Sequence, residues 1–244
     1  MKAIVSMFRG DAKSIRKAWL LNPLEALHYR IVRRFKGAGV MGFNAAKEER
    51  KRWRRREPPV SAGYLGKGHD QFDYLVSHGL SEKDFLLDFG CGYMRMAEDA
   101  ISYLKLGRYF AADISAGRIQ AGKERLARNG YAAWRYDTVV LKGPDLRELS
   151  SFVFDVVWAF SVFQCLPDDE FFRVLKSLRR RLFPGGKIFF DFPASPESLK
   201  GKRQFFRPVD DVQALVREAG YGCRIMADWP SSSIMLQLRP WREK

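Results

Sequence analysis

Residues 85–95 read Phe-Leu-Leu-Asp-Phe-Gly-Cys-Gly-Tyr-Met-Arg. An apolar run ends in Asp88 and then breaks into two glycines, Gly90 and Gly92. A buried parallel strand that stops at such a turn opens a nucleotide-sized crevice at its carboxyl end. Twenty-five residues after Asp88, a second apolar run, Tyr109-Phe110-Ala111-Ala112, ends in Asp113. That spacing sets a second acid at the tip of the neighbouring strand, where it can accept hydrogen bonds from ribose hydroxyls. The pair predicts an α/β domain that holds an adenosine.

Outward from this pair the chain alternates. A helix near 69–79 is followed by strand 84–88, helix 95–105, strand 108–113 and helix 116–128. Strand 132–136 is the poorest match to a strand pattern; strand 153–159, helix 168–182, strand 187–192 and helix 208–219 follow. Strands near 222–228 and 232–238, joined by Trp229-Pro230-Ser231, read as a terminal hairpin. Strands alternating with helices predict right-handed crossovers and a parallel sheet. The expected fold is a Rossmann-like, seven-stranded, mostly parallel sheet with a terminal antiparallel hairpin and helices on both faces.

The Gly-rich turn also narrows the ligand. A dinucleotide fingerprint needs a third glycine three residues after the second, where this chain has Arg95. A phosphate-binding loop needs Gly-Lys-Ser/Thr, which does not follow. The turn suits an adenosine without phosphates, which points to S-adenosylmethionine.

At four places the chain resembles the class I S-adenosylmethionine-dependent methyltransferases. These are Asp88–Gly92, Tyr109–Ser115, Phe154–Phe163 and Leu182–Ile188, in that order, within a likeness that spans roughly residues 62–240. The resemblance implies a cofactor site. Asp88 would receive the cofactor's ammonium, with Gly90, Cys91 and Gly92 forming the close-approach turn. Asp113 would accept the ribose hydroxyls and Ile114 would pack on the adenine. Asp137 would bond the adenine amino group, and Phe160 and Ser161 would lie over the sulfonium. Met94 departs from the family pattern, in which many members carry a third glycine at that position. An oxygen nucleophile usually needs a base; His69 is the first candidate, with Asp70 and Tyr64 after it. Tyr64, Gln164, Arg203 and Phe206 are candidate acceptor-binding residues. Three scattered histidines and three cysteines without paired spacing give no metal site and no disulfide framework.

The charge is uneven. Residues 1–60 hold 16 Lys and Arg against 5 Asp and Glu, a balance of +11, while the remainder carries +4. Residues 1–62 therefore read as a basic helical extension or cap, and 63–244 as the cofactor-binding domain. Asn22-Pro23-Leu24-Glu25 opens an amphipathic helix that either packs on the domain or lies on an anionic membrane surface. A charged helix over 44–57 follows; Pro58-Pro59 stops it, and Gly63, Gly66 and Gly68 suggest a flexible approach. The loop Pro193–Pro208 carries Lys200, Lys202, Arg203, Phe205, Phe206 and Arg207, and predicts a basic, aromatic rim. The expected acceptor is a small molecule, a glycan or a lipid-linked compound. Two alternatives stand beside it: an RNA methyltransferase using the basic arm, and a non-catalytic cofactor-binding protein. With no apolar run long enough to span a bilayer and no export signal, the expected location is cytoplasmic, with the inner membrane face as a possible resting place.

Overall fold

The computed structural model describes residues 62–200 and 204–241, together with Gly39, Met41 and Asn44. Helix α1 (Ala62–Ser77) leads into β1 (Leu86–Phe89), α2 (Ala97–Tyr103), β2 (Tyr109–Asp113), α3 (Ala116–Arg128) and β3 (Tyr136–Val140). Then come β4 (Phe154–Ala159), α4 (Asp168–Arg179), β5 (Leu182–Phe192), β6 (Leu199–Lys200), β7 (Phe205–Phe206), α5 (Val209–Glu218), β8 (Tyr221–Ile225) and β9 (Ile234–Pro240).

Seven strands form one sheet in the order β3-β2-β1-β4-β5-β9-β8. Strands β1 to β5 pair in parallel, and β9 runs antiparallel to both β5 and β8. The strand order reverses between β1 and β4, which is where such sheets open a ligand crevice. Every residue of β1 and β2 is buried, as a sheet covered on both faces requires.

Alternation along the strands divides the core in two. Leu87, Phe89, Phe110, Ala112, Phe190 and Phe192 face α4 and α5. Leu86, Tyr109, Ala111, Trp158 and Phe189 face α1, α2 and α3. The carboxyl end of α1 is tied to the sheet by Lys187 of β5, whose Nζ donates to the carbonyls of His78 and Gly79 at 2.7 and 3.1 Å. Such a cation also complements the helix dipole.

Three expectations change. Gly63, Gly66 and Gly68 are not a flexible approach but the first turns of α1, which starts seven residues earlier than the sequence suggests. Gly68 is there for space: a Cβ would stand 2.4 Å from the carbonyl oxygen of Arg95. Strand β3 begins at Tyr136, where the predicted strand ends. The segment 193–208 is not one open loop, because β6 and β7 pair within it, Leu199 against Phe206 and Lys200 against Phe205. Arg207 does not join a basic rim either. It is buried, donating from Nε to Asp168 at 2.7 Å and from Nη2 to the Leu166 carbonyl. The helices expected near 22–36 and 44–57 lie outside the described residues. Met41 is nevertheless placed: it is buried in the α4-side core, and its amide donates to Glu170 of α4 at 2.9 Å.

Candidate cofactor and active site

The tips of β1, β2, β4 and β5 carry the candidate residues. After β1 the backbone turns through three left-handed residues, Gly90 (φ 78°), Gly92 (φ 54°) and Met94 (φ 57°). Gly90 is required twice over: its φ favours glycine, and a Cβ would meet Val162 Cγ2 at 2.3 Å. Val162 belongs to the segment after β4, so this one contact fixes how closely the two strand ends approach.

Asp113, at the tip of β2, is buried and holds the turn in place. Its Oδ2 accepts the Gly92 amide at 2.9 Å and its Oδ1 accepts the Ser115 amide at 2.8 Å. A carboxylate has about four acceptor sites, more than these two backbone donors fill. Ser115 in turn caps α3, its hydroxyl accepting the Arg118 amide at 3.3 Å. Ile114 lies between them, partly buried against the core.

Asp88, the third residue of β1, is 5% exposed and accepts the Tyr109 hydroxyl at 2.8 Å. Burial pushes its carboxyl up to about 7, while the Tyr109 hydrogen bond and the Arg95 charge pull the other way. A desolvated carboxyl of this kind favours a cationic neighbour. The Cys91 thiol beside it is buried and is pushed well above its ordinary range by the same desolvation.

The segment after β4 supplies the other wall. Phe160 stacks on Trp158 with ring centroids 6.3 Å apart, and the Arg95 guanidinium lies 4.7 Å over its ring. Ser161 adopts φ 57°, and its amide donates to Asp191 of β5. Asp191 is 2% exposed and its carboxyl is raised, chiefly by burial. Gln164 is buried, and its Oε1 has no hydrogen-bond partner among the described residues. Cys165 donates weakly from Sγ to the Ser161 carbonyl at 3.8 Å.

The structure therefore brings together Asp88, Gly90, Cys91, Gly92, Asp113, Ile114, Phe160 and Ser161. It leaves Asp137 out. With β3 starting at Tyr136, Asp137 stands opposite Phe110, and Val140 is the residue opposite Asp113. At about 3.3 Å per residue, Asp137 falls roughly 10 Å short of the β2 tip. It is exposed, so the adenine contact expected of it is withdrawn. His69 lies on the exposed face of α1, with Nδ1 3.2 Å from Asp99 and Nε2 3.4 Å from Asp73. The Asp99 hydrogen bond and charge raise its pKa, and none of these contacts joins it to the strand tips. Phe206 is half-buried in β7, Tyr64 is placed only as a position in the first turn of α1, and Arg203 lies outside the described residues.

Three contributors went unread in the sequence. Asp191 carried a signal, an acid inside the apolar run Ile188-Phe189-Phe190-Asp191-Phe192. Trp229, read only as part of a turn, stands 5.9 Å from Phe160 and 5.8 Å from Trp158 between ring centroids. Arg125 of α3 carried none; it binds the carbonyls of the Gly-rich turn from another element. Among the described residues no group of three or more His, Cys, Asp or Glu is placed to hold a metal ion, and no helix is long and apolar enough to cross a membrane.

Comparison with known proteins agrees with this fold. Residues 87–188 match the family model described as a methyltransferase domain. The fold is similar to magnesium protoporphyrin IX methyltransferase from Synechocystis PCC 6803, crystallised with bound SAM: TM-score 0.56, 16% identity, covering 86% of this chain and 95% of that one. It is also similar to the CcbJ methyltransferase from Streptomyces caelestis, with TM-score 0.59 and 14% identity over 75% of this chain and 90% of that one. The pyocyanin biosynthetic protein PhzM matches with TM-score 0.54 and 16% identity over 68% of this chain; the chain spans only 53% of that protein. At these identities the likenesses establish the fold. A search of curated proteins finds no match.

Proposed function

We propose, from the match of residues 87–188 to the methyltransferase domain model, that the chain transfers a methyl group from S-adenosylmethionine to an oxygen or nitrogen of a small-molecule acceptor. One observation carries the reading: two buried carboxylates, Asp88 and Asp113, stand at the tips of adjacent parallel strands on either side of a turn held open by Gly90. When bound, S-adenosylmethionine supplies an electrophilic methyl on a sulfonium, whose C–S bond electrons leave with sulfur as the acceptor attacks.

The chain's own residues position and desolvate. Asp88 answers the ammonium of the methionyl end, and the Tyr109 hydroxyl keeps its carboxylate oriented. Asp113 accepts from the ribose while fixing the Gly92 amide. Phe160, flanked by Trp158 and Trp229, forms an aromatic wall that excludes water near the reacting centre. Much of the rate gain in such a reaction comes from alignment of the reactants. Two structural neighbours, a magnesium protoporphyrin IX methyltransferase and a mitomycin 7-O-methyltransferase, support a small-molecule acceptor. A glycan or lipid-linked acceptor remains within this proposal.

The test is calorimetry with S-adenosylmethionine and S-adenosylhomocysteine. The reading expects one site for each, and strong loss of both on Asp113→Ala. No binding of either by the wild-type chain overturns it.

A further inference from the structure

The crossovers that flank the sheet are helical, with one exception. Helices α2, α3, α4 and α5 follow β1, β2, β4 and β5, whereas β3 reaches β4 through a single short helical turn, Arg147–Leu149. With no full helix there, the outer flank of α4 faces a cleft of about 810 Å³. That volume falls in the range of small-ligand sites.

The lining is strongly one-signed. Arg147, Arg173, Lys176, Arg180 and Arg181 meet there with one carboxylate, Asp145. Asp145 is already matched, because Arg173 grips it in a fork at 2.7 and 3.2 Å. Among the described residues no carboxylate lies within ion-pair distance of Arg147, Lys176, Arg180 or Arg181. Arg173, Lys176 and Arg180 recur at helical spacing along α4 and its end, where like charges repel one another.

Arg181 makes the cleft a built site rather than a basic surface. It is 8% exposed and rigidly held, donating to the carbonyls of Leu149 at 3.0 Å, Ser177 at 2.7 Å and Leu146 at 2.8 Å. A guanidinium has five N–H donors, so this buried cation offers two more, and its contacts so far are dipoles, not a counter-ion. Burial, with the Arg180 charge beside it, lowers its pKa; the Glu148 charge acts the other way without outweighing them, and among the described residues no carboxylate is within ion-pair distance of the guanidinium.

We infer that this cleft binds a small polyanion of the diphosphate class. Planar forks recognise phosphate oxygens in pairs, and several unmatched cations call for more than one negative charge. The concave shape fits a compact ligand better than a flat bilayer. Helix α4 runs back from the strand tips, so Arg180 and Arg181 lie where β5 starts, at the amino ends of the parallel strands, whereas Asp88 and Asp113 lie near their carboxyl ends. The anion site is therefore separate from the proposed cofactor crevice and does not depend on it.

The experiment titrates inorganic pyrophosphate into the full-length chain by calorimetry, at low and moderate salt, with S-adenosylmethionine titrated in parallel. Wild type is expected to show one saturable pyrophosphate site that weakens with salt. Arg147→Gln and Arg180→Gln alter exposed side chains, and each is expected to weaken it about tenfold, as loss of a charge-assisted contact does; the double variant removes it. Cofactor affinity stays unchanged in all three. Absence of saturable binding, or binding that survives the double variant, overturns the inference. So does capture of transfer RNA or phosphatidylglycerol vesicles through these arginines without pyrophosphate binding.

Discussion

Arg125 of α3 donates from Nη2 to the carbonyl oxygen of Met94 at 2.7 Å, and from Nη1 to that of Tyr93 at 3.0 Å. Its Nε reaches Glu98 of α2 at 3.0 Å. Met94 is a non-glycine residue at φ 57°, a conformation that costs about 1–2 kcal/mol. Its side chain is fully buried beside Gly122, where a Cβ would meet it at 3.0 Å. The turn that departs from the glycine-rich pattern is thus held by a clamp from the next helix but one. Arg125→Lys keeps the charge near Glu98 but loses the fork. Each hydrogen bond from a charged group contributes about 1.5–3 kcal/mol, so S-adenosylmethionine should bind at least tenfold more weakly. Hydrogen exchange over residues 90–96 should quicken while the rest of the sheet holds. Unchanged affinity and exchange would remove the clamp from the account.

Gly90 and Val162 form a pair that a double-mutant cycle can resolve. Gly90→Ala combines a left-handed φ with the 2.3 Å contact to Val162 Cγ2, and should abolish measurable cofactor binding. Val162→Ala deletes the clashing methyls but leaves Cβ 3.4 Å away, an ordinary contact. The double variant should recover binding to within about tenfold of wild type, the remaining deficit being the ~1–2 kcal/mol backbone term. Additive losses would show that the approach of the two strand ends is not what Gly90 serves.

Asp88 makes cofactor affinity depend on pH. Its folded-state pKa, raised to about 7 by burial, exceeds the ordinary 3.8. Between those values the native state holds a proton that the unfolded chain releases. The group's effect on the free protein is therefore a loss of stability as pH rises from about 4 to about 7. Binding of an ammonium favours the ionised form, so affinity for S-adenosylmethionine should climb with pH up to about 7 and then level. Asp88→Asn should flatten both profiles and weaken binding. A pH-independent wild-type affinity would refute the ammonium role.

What could be read from the chain, and what could not, follows from range. The acids of β1 and β2 stand at or one residue before the strand end, because a buried parallel strand is a continuous apolar run and its first polar residue marks the approach to its tip. Those positions needed no tertiary knowledge. Asp137 was misplaced because β3 is half-exposed, so its pattern resembles a loop, and the strand was read four residues too early. The three glycines of α1 were read as a loop because their reason is not local: Gly68 is selected by the backbone of Arg95, 27 residues away. Arg125 has the same character, a polar residue on a helix whose role exists only once Tyr93 and Met94 are beside it.

His69 can be tested against its surroundings. It is exposed and flanked by Asp73 and Asp99. Its raised pKa means that any stability from the pairs is present in acid and lost as pH rises through the folded value. His69→Ala should therefore leave S-adenosylmethionine affinity unchanged at pH 8, measured by calorimetry. A large loss would return His69 to the site.

Gln164 offers the most demanding check, because stability and binding should move in opposite directions. Its Oε1 is buried without a hydrogen-bond partner among the described residues, a state that costs about 1–3 kcal/mol. Gln164→Met keeps the side chain's length and flexibility and removes the desolvated amide. The free variant should therefore unfold about 2–4 °C higher than wild type, the shift expected of ~1 kcal/mol in a chain of this size. If the loop after β4 lines the ligand crevice, that oxygen is kept for a donor on the bound ligand. The rise in melting temperature on adding S-adenosylmethionine should then be smaller in the variant, since the gain follows the logarithm of ligand over dissociation constant. A variant that is stabilised and keeps the full cofactor-induced shift would place the unmet oxygen outside the cofactor's reach. A variant that is destabilised would mean that the amide already has a partner in solution.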